Sequence, residues 1–273
     1  MTGLYGFDAF SPPEIGERVE AIGVTKARLP LLKLVMLGVL AGAFIALGAL
    51  FYTVVAADAS LAFGVRRVLG GLVFCLGLIL VVVAGAELFT GNNLLAMAWA
   101  EGKVTTAEVL RNWGVVALSN LAGAVAIAVL ALWAGHAATL GGAVGDTYLR
   151  LAEAKTTLPF LQAFASGILC NVLVCLAVWM AVAGRSVVDK AVAIVFPITA
   201  FVAAGFEHSV ANMYFIPMAL LLKASGWTGV AAEHVTLAGF LGNLVPVILG
   251  NLVGGSVFVA LVYHVIYRRG REV

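Results

Sequence analysis

The chain of 273 residues is 63% hydrophobic and only 11% charged, with a formal net charge of +2 and a mean hydropathy of +1.08. A soluble domain carries about 25% charged residues, so a water-facing surface can hardly be built from this composition. The bilayer is the solvent that suits it, and 31 glycines suit the close helix packing found in lipid. The composition therefore excludes an ordinary soluble protein and predicts a polytopic membrane protein.

The N-terminal segment 1–28 is expected to be cytoplasmic and to contain one short amphipathic helix. Residues 11–14 (SPPE) match a capping box with prolines in the first turn, so a helix is predicted to start there. Ile15, Val19 and Ile22 recur at helical spacing between charged residues. This pattern is typical of a helix lying along the membrane surface, and a solvated leader helix with no special role fits it equally well.

Six long apolar segments follow, each with at least the ~20 residues needed to cross about 30 Å of hydrocarbon. They run roughly over residues 30–57, 68–100, 106–134, 158–184, 189–222 and 237–267. The second and fifth are too long for one uninterrupted span, and each carries polar residues near its middle. Residues 29–273 are therefore expected to form a single transmembrane domain.

The orientation follows from the basic residues, because an even number of spans places both termini on one side. Of the sixteen Lys and Arg residues, eleven lie on that side: Arg18, Lys26, Arg28, Lys33, Lys103, Arg111, Arg185, Lys190, Arg268, Arg269 and Arg271. The positive-inside rule then predicts that both termini are cytoplasmic.

The two halves of the domain, about 29–135 and 158–268, resemble each other in sequence. The matches, at offsets of 129, 120 and 131 residues, are Leu29-Pro30 with Leu158-Pro159, Gly85 and Glu87 with Gly205 and Glu207, and Asn120 and Gly123 with Asn251 and Gly254. Each half has three spans, an odd number, so the second half must be inserted upside down. Such inverted repeats bind their ligands near the midplane, on interrupted helices.

Glu87 and Glu207 indicate where the second and fifth spans are interrupted. A carboxylate in lipid costs about 2.5–3.5 kcal/mol, so both must face protein or water. Gly85 and Gly205 permit the chain to leave the helix beside them. We expect each long span to be two half-helices joined by a loop near mid-membrane. The carboxylates are expected to brace the breaks by accepting hydrogen bonds from the loop backbones; a role with a transported cation is the less favoured alternative.

The half-helix after each break points its N-terminal N–H groups at the midplane, which favours a negatively charged ligand. His208 follows Glu207, whereas Leu88 holds the matching place in the first half. An unperturbed histidine titrates near pH 6.5, so His208 is interpreted as a functional, proton-exchanging residue rather than a structural one. Thr90, in the other loop, is the opposing hydroxyl. Three buried amides are interpreted mainly as helix–helix hydrogen bonds: Asn120, Asn171 and Asn251.

At both interrupted segments the sequence resembles the formate/nitrite transporter family. The resemblance is carried by residues 86–91 (AELFTG), 171–180, 205–213 (GFEHSVANM) and 250–255, and it spans essentially the whole chain. It implies an all-α, aquaporin-like channel domain of six transmembrane helices in two inverted three-helix repeats, with one pore per subunit of a homopentamer. It also implies a multi-pass protein of the bacterial inner membrane that carries monovalent anions of weak acids.

The resemblance also implies roles for individual residues. Thr90 and His208 would form the central site, and Lys155, with Asn171 beneath it, would attract the anion from the outer side. Apolar constrictions would be made by Phe74, Leu78, Leu88, Phe89, Val174 and Phe201. The N-terminal helix would gate the cytoplasmic mouth. An acid protonated through His208 would cross as a neutral molecule; passage of the bare anion, with His208 as a charge or hydrogen-bond donor, is the competing version.

The substrate stays open between formate, nitrite and hydrosulfide, with formate favoured. Residues 91–92 (GN) are nearer the nitrite-type members, whereas residues 214–218 (YFIPM) look more like formate channels. An aquaporin-type channel for uncharged solutes is a rival, but Asn-Pro-Ala repeats are absent. A membrane-embedded enzyme is a further rival, but catalytic motifs are absent as well. We expect no cofactor, no metal and no nucleic acid, and only the anion, lipid and further copies of the chain as partners.

Overall fold

The computed structural model describes residues 9–268, which are helical apart from turns and one isolated β-bridge. The predictions for residues 1–8 and 269–273, including Arg269 and Arg271, fall outside them. In chain order the helices are α1 Pro12–Ala27, α2 Leu31–Ala57, α3 Phe63–Ile79 with a π-helical end Leu80–Gly85, α4 Leu95–Ala100 after a 3-10 turn Gly91–Leu94, α5 Thr106–Trp133, α6 Ala143–Thr156 after a 3-10 turn His136–Gly142, α7 Phe160–Ala183, α8 Val187–Ala204, α9 Ser209–Ala224, α10 Leu237–Leu252 with a π-helical end Val253–Leu261, and α11 Val262–Tyr267.

Six helical stretches of the described chain are long and apolar enough to cross a membrane. They are Leu31–Ala57, Phe63–Gly85, Thr106–Trp133, Phe160–Ala183, Val187–Ala204 and Leu237–Tyr267. The predicted number of spans is therefore confirmed, although the second span begins at Phe63 rather than near residue 68. The all-α fold class is confirmed as well.

The capping box at the start of α1 is present as predicted. The backbone N–H of Ser11 donates to Glu14 Oε2 at 2.7 Å, and two prolines occupy the first turn. These hydrogen bonds hold the pKa of the Glu14 carboxyl below its usual range. The apolar face of α1 packs against protein, however, because Ile15 and Val19 are buried in one cluster with Met97. The face that the pattern assigns to the membrane surface is thus covered largely by the other helices.

Helix α6 lies in a stretch, residues 135–157, to which the sequence analysis assigns no helix. Its mixed composition is too polar for a span, yet Val144, Tyr148 and Ala152 recur every four residues and are buried. This is the 3.6-residue period of a helix with one covered face. The helix matters for the site because its last turn carries Lys155.

Glycines let the first and third spans of each half pack backbone to backbone. A Cβ placed on Gly42 of α2 would lie 1.9 Å from the carbonyl oxygen of Asn120 in α5. In the second half, a Cβ on Gly250 of α10 would lie 2.2 Å from the carbonyl oxygen of Phe164 in α7. Small residues permit such close approach of helices in lipid. The same kind of contact therefore recurs in both halves.

The second and fifth apolar segments are each interrupted after a glycine with positive φ. Gly85 has φ +87° and ends the α3 stretch, and residues 86–90 are not helical. Gly205 has φ +80° and caps α8, and the next helix begins at Ser209. A left-handed backbone carries little strain for glycine and costs other residues about 1–2 kcal/mol. Glycine at both positions therefore lets the chain turn out of its helix.

Gly205→Ala is expected to destabilise the protein by about 1–2 kcal/mol through backbone strain alone. The added Cβ would also lie 2.5 Å from an Arg67 guanidinium nitrogen, which must move. Gly114→Ala is the control, because this helical position has no atom within 4 Å of the added Cβ and alanine favours helix by about 0.5–1 kcal/mol. Thermal unfolding in detergent measures both, and an equal Tm for the two variants would contradict the role assigned to Gly205.

Candidate functional site

The two interruptions bring Thr90 and His208 together. Thr90 Oγ1 lies 3.0 Å from His208 Nε2, and both side chains are buried. His208 precedes α9, and its Nδ1 accepts a hydrogen bond from the Ala211 backbone N–H at 3.1 Å. Because Nδ1 is an acceptor, the neutral imidazole carries its proton on Nε2 and donates it to Thr90 Oγ1. The hydroxyl proton of Thr90 is then free for another acceptor.

Two cavities approach this pair, one on the side of α1 and one on the side of α6. The first has a volume of about 820 Å³, and its lining includes Leu78 and Leu88. The second has a volume of about 290 Å³, and its lining includes Phe74, Phe201 and His208. Four of the six residues expected at apolar constrictions therefore line a cavity, two on each side.

The second cavity is bounded by a row of three rings. Phe74 and Phe201 meet edge to face with centroids 5.7 Å apart. Phe201 stacks on the imidazole of His208 at 5.8 Å, with an interplanar angle of 21°. The ring row thus forms an apolar wall against the only imidazole that lines either cavity in the described chain.

Phe89 and Val174, the remaining two residues expected at constrictions, line neither cavity. Both are almost fully buried within the main hydrophobic core. The backbone of Phe89 helps to fix the interrupted segment, because its N–H donates to Asn120 Oδ1 at 2.9 Å. Phe89 lies in a non-helical segment, where its position beside Leu88 does not decide the direction of its side chain. The constriction role of Phe89 and Val174 stays a prediction.

Glu87 lies in a polar cluster at the first interruption. Its Oε1 pairs with Lys26 Nζ at 3.1 Å, and its Oε2 accepts from Asn92 Nδ2 at 2.7 Å. Asn92 Nδ2 also donates to Asn112 Oδ1 at 2.9 Å. A side-chain hydrogen bond thus joins the Glu87 carboxylate to Asn92, on the other side of the break.

Glu207 lies in the matching cluster of the second half. Its Oε1 pairs with Lys155 Nζ at 2.7 Å, and its Oε2 accepts from Asn212 Nδ2 at 2.6 Å and from Asn243 Nδ2 at 3.2 Å. The four members follow those of the first cluster at offsets of 129, 120, 120 and 131 residues, the offsets of the sequence repeat. The two halves therefore place one carboxylate, one lysine and two asparagines in corresponding contacts.

The expectation that Glu87 and Glu207 accept hydrogen bonds from the loop backbones differs from the structure. Backbone groups at the breaks are held by Asn120 and Asn251, for which the sequence predicts mainly helix–helix hydrogen bonds. Asn251 Nδ2 donates to the carbonyl oxygens of Gly167 and Glu207 at 2.8 and 3.0 Å, and its Oδ1 accepts from the Ser209 N–H at 3.0 Å. An amide can donate and accept at once, whereas an ionised carboxylate only accepts.

Asn120 makes the same three kinds of contact in the first half. Its Nδ2 donates to the carbonyl oxygens of Gly38 and Glu87 at 2.8 and 2.9 Å, and its Oδ1 accepts from the Phe89 N–H. Each amide thus ties one irregular segment to the first helix of its own half. Irregular backbone inside a membrane protein needs internal partners of this kind, because lipid offers none.

Asn171 makes no hydrogen bond to Lys155 within the described residues, and its expected place beneath Lys155 stays a prediction. Its Nδ2 donates to the carbonyl oxygens of Thr90 and Asn251, at 3.2 and 2.7 Å, and to Asn93 Oδ1 at 2.7 Å. Its Oδ1 is buried and has no partner among the described residues. Asn171 therefore belongs to the backbone side of the Thr90 segment, while Lys155 belongs to the Glu207 cluster.

Lys26 is a cavity-lining residue, whereas the sequence predicts for it only a positive charge on the side of the termini. It lines the first cavity and pairs with Glu87, as Lys155 lines the second and pairs with Glu207. The signal was present in the repeat, because each lysine precedes the matched Leu-Pro pair by three residues. Applying the repeat offset to Lys155 would have found it.

These features define a class: an all-α, multi-pass membrane protein with a buried hydroxyl–imidazole pair whose imidazole lines one of two cavities. The family model described as Formate/nitrite transporter matches residues 13–265. The chain belongs to the formate/nitrite transporter family, as its sequence motifs suggested.

Similar proteins cover nearly the whole chain. "Formate channel FocA" of Escherichia coli (strain K12) is 40% identical over 277 residues, with 97% of each chain covered. Among solved structures, "Pentameric formate channel with formate bound" is 41% identical with a TM-score of 0.81, covering 87% of this chain and 97% of its own. "FNT family ion channel" is 33% identical with a TM-score of 0.83, covering 93% and 98%.

Proposed function

We propose that this chain is a channel or transporter for small monovalent anions of weak acids, with formate as the favoured substrate. The observation that carries the proposal is the buried Thr90–His208 pair: His208 lines the second cavity, and Leu88 and Gly91, on either side of Thr90 in the chain, line the first. Moving a bare anion from water into an apolar constriction, here called a collar, has a prohibitive free-energy cost unless hydrogen bonds replace those to water. A hydrogen-bond donor between the collars supplies that compensation at one point.

Two versions of the chemistry use the same pair. In the first, His208 as imidazolium gives its Nε2 proton to the anion, which crosses as neutral acid and leaves neutral imidazole behind. The ring left behind keeps its proton on Nδ1 and is recharged at Nε2. Forming the imidazolium from the neutral Nε2–H ring of the structure requires a proton at Nδ1, where the Ala211 N–H now binds. In the second, neutral His208 donates a hydrogen bond from Nε2 and the anion passes unprotonated. We favour the first because a weak-acid substrate then moves inward when the external pH is low.

Further roles belong to the same proposal. Lys26 and Lys155 draw anions into the two cavities, and Leu78, Leu88, Phe74 and Phe201 form the collars. Phe89 and Val174 support them from the core, and Asn171 holds the Thr90 carbonyl. The named relatives are described as channels, which supports transport rather than catalysis.

We also propose a homopentamer in the bacterial inner membrane, with residues 1–28 and the C-terminus cytoplasmic and residues 29–273 forming the channel domain of two inverted halves. Helix α8 supports an assembly, because it is scarcely covered within one subunit and Phe196 is 77% exposed. Lipid and neighbouring subunits would cover such surfaces. The likeness to a structure described as pentameric supports the same number of subunits.

The test is solute uptake by proteoliposomes containing the purified protein. Formate, nitrite and hydrosulfide should each enter faster than glycerol, with formate fastest and faster still when the external pH is lowered. Uptake of glycerol at the rate of formate would instead assign an uncharged-solute channel. Absence of anion uptake above protein-free liposomes would overturn the proposal.

A further inference from the structure

The first cavity opens beside an aromatic ring that two arginines share. The guanidinium carbon of Arg18 lies 3.4 Å from the Phe10 ring centroid, and that of Arg185 lies 4.1 Å from it. The Phe10 N–H donates to the carbonyl oxygen of Ala183 at 2.9 Å. The ring is thereby fixed between α1 and the turn that follows α7, and all three side chains line the cavity.

Both guanidinium groups keep their donors available. Stacking on a ring uses the face of a guanidinium and leaves the N–H groups along its edge. Within residues 9–268, neither side chain has a carboxylate within 4 Å or a hydrogen-bond acceptor. Two acids lie near them. Glu14 is fully exposed and already accepts hydrogen bonds from Ser11, and Asp189 Oδ2 accepts the backbone N–H groups of Arg185 and Ser186.

The cavity as a whole carries an excess of positive charge. Lys26 and Lys190 line it as well, and among the described lining residues Glu87 is the only carboxylate, already paired with Lys26. Within residues 9–268, Arg18, Arg185 and Lys190 therefore form no ion pair, and the nearby Asp189 carboxylate is already bound to the backbone N–H groups of Arg185 and Ser186. The second cavity differs, because Lys155 is paired with Glu207 and Arg67 Nε donates to the Ala203 carbonyl oxygen at 2.7 Å.

We infer that the first cavity is a binding site for a polyvalent oxyanion of the phosphate type, which blocks the monovalent pathway from that side. A volume of about 820 Å³ lies within the 300–1,000 Å³ typical of small-molecule sites, and far exceeds what formate needs. Guanidinium groups bind phosphate oxygens through two parallel N–H bonds, and one diphosphate reaches both groups because they share a ring.

The bound ion cannot continue through the protein. Leu78 and Leu88 form the inner wall of the cavity, and a multiply charged ion loses still more hydration there than a monovalent one. It stays among the arginines, where it obstructs the entrance. The same phosphate chemistry is offered by a soluble diphosphate and by an anionic lipid headgroup, so the experiment separates these two sources.

Binding is tested by titrating inorganic pyrophosphate into the purified full-length protein in nanodiscs of phosphatidylcholine, followed by calorimetry. We expect saturable binding that weakens at least about tenfold in the Arg18→Gln, Arg185→Gln double variant, corresponding to about 1.4 kcal/mol. Lys33→Gln is the control, because Lys33 is exposed, lies on the same side and is outside the cavity lining; its affinity should match the parent's. No binding, or equal binding by the double variant, would overturn the inference.

Nanodiscs containing phosphatidylglycerol identify the source. If the parent binds pyrophosphate more weakly in these discs than in phosphatidylcholine discs while the double variant binds equally in both, lipid headgroups occupy the site. Unchanged affinity means that the site serves soluble anions. Either result supports a phosphate-type site.

The blocking effect rests on the proposed function and is measured separately. Pyrophosphate should slow formate uptake only when it is present on the side of α1, and the double variant should be resistant. Equal inhibition of formate uptake from both sides, or equal inhibition of the double variant, would contradict a blocking site on the side of α1. Absence of formate uptake without pyrophosphate would refute the proposed function and leave the calorimetric result standing.

Discussion

His208→Asn is expected to remove the pH dependence of formate uptake while leaving the protein folded. Asparagine is a good N-cap residue, so its Oδ1 can accept the Ala211 N–H in place of Nδ1. It does not titrate near neutral pH. Uptake at low external pH should fall by at least about tenfold, because a hydrogen bond to a charged group is worth about 1.5–3 kcal/mol. Uptake of radiolabelled formate at pH 5 and pH 7 measures the effect.

Two further variants separate the parts of this result. His208→Ala removes the cap as well and should lower stability by about 0.5–2 kcal/mol, seen as a lower Tm than that of His208→Asn. Thr90→Val keeps the volume of the side chain but removes the acceptor for Nε2–H. It should slow formate uptake while retaining its pH dependence, since the titrating group remains. An unchanged pH dependence in His208→Asn would contradict proton exchange at this ring and favour passage of the bare anion.

Features carried by local chemistry were predictable from the sequence. The capping box at Ser11 depends on four consecutive residues, and the interruptions depend on glycine and a carboxylate within an apolar segment. The meeting of Thr90 and His208 could be anticipated because the repeat aligns the two interrupted segments. In each case the evidence lay within one turn of chain or in a comparison of the two halves.

Features that depend on side-chain direction were not predictable in the same way. A helical period fixes which residues share a face, but residues 86–90 have no period, so nothing in the sequence turns Leu88 towards a cavity and Phe89 towards the core. Helix α6 was missed because its composition fits neither a span nor a turn-rich loop. Its length decides where Lys155 lies, so the Lys155–Glu207 pair could not be derived before that helix was known.

Asn251→Leu is expected to cost most of the stability of the protein. The amide of Asn251 satisfies three backbone groups, the carbonyls of Gly167 and Glu207 and the N–H of Ser209, and leucine of similar size satisfies none. Each buried unsatisfied group costs about 1–3 kcal/mol, so the total approaches the 5–15 kcal/mol by which a typical protein is stable. We expect little folded protein in detergent extracts, measured by fluorescence-detected size exclusion.

Leu249→Ala is the matched control on the same helix, because its side chain is exposed at the apolar surface and should change stability by no more than about 0.5 kcal/mol. Asn120→Leu should be as harmful as Asn251→Leu, since Asn120 makes the equivalent three contacts in the first half. If Asn251→Leu elutes with the yield and Tm of Leu249→Ala, the irregular backbone does not depend on this amide. If only one of the two asparagines is needed, the two interruptions are held by different means despite their matching contacts.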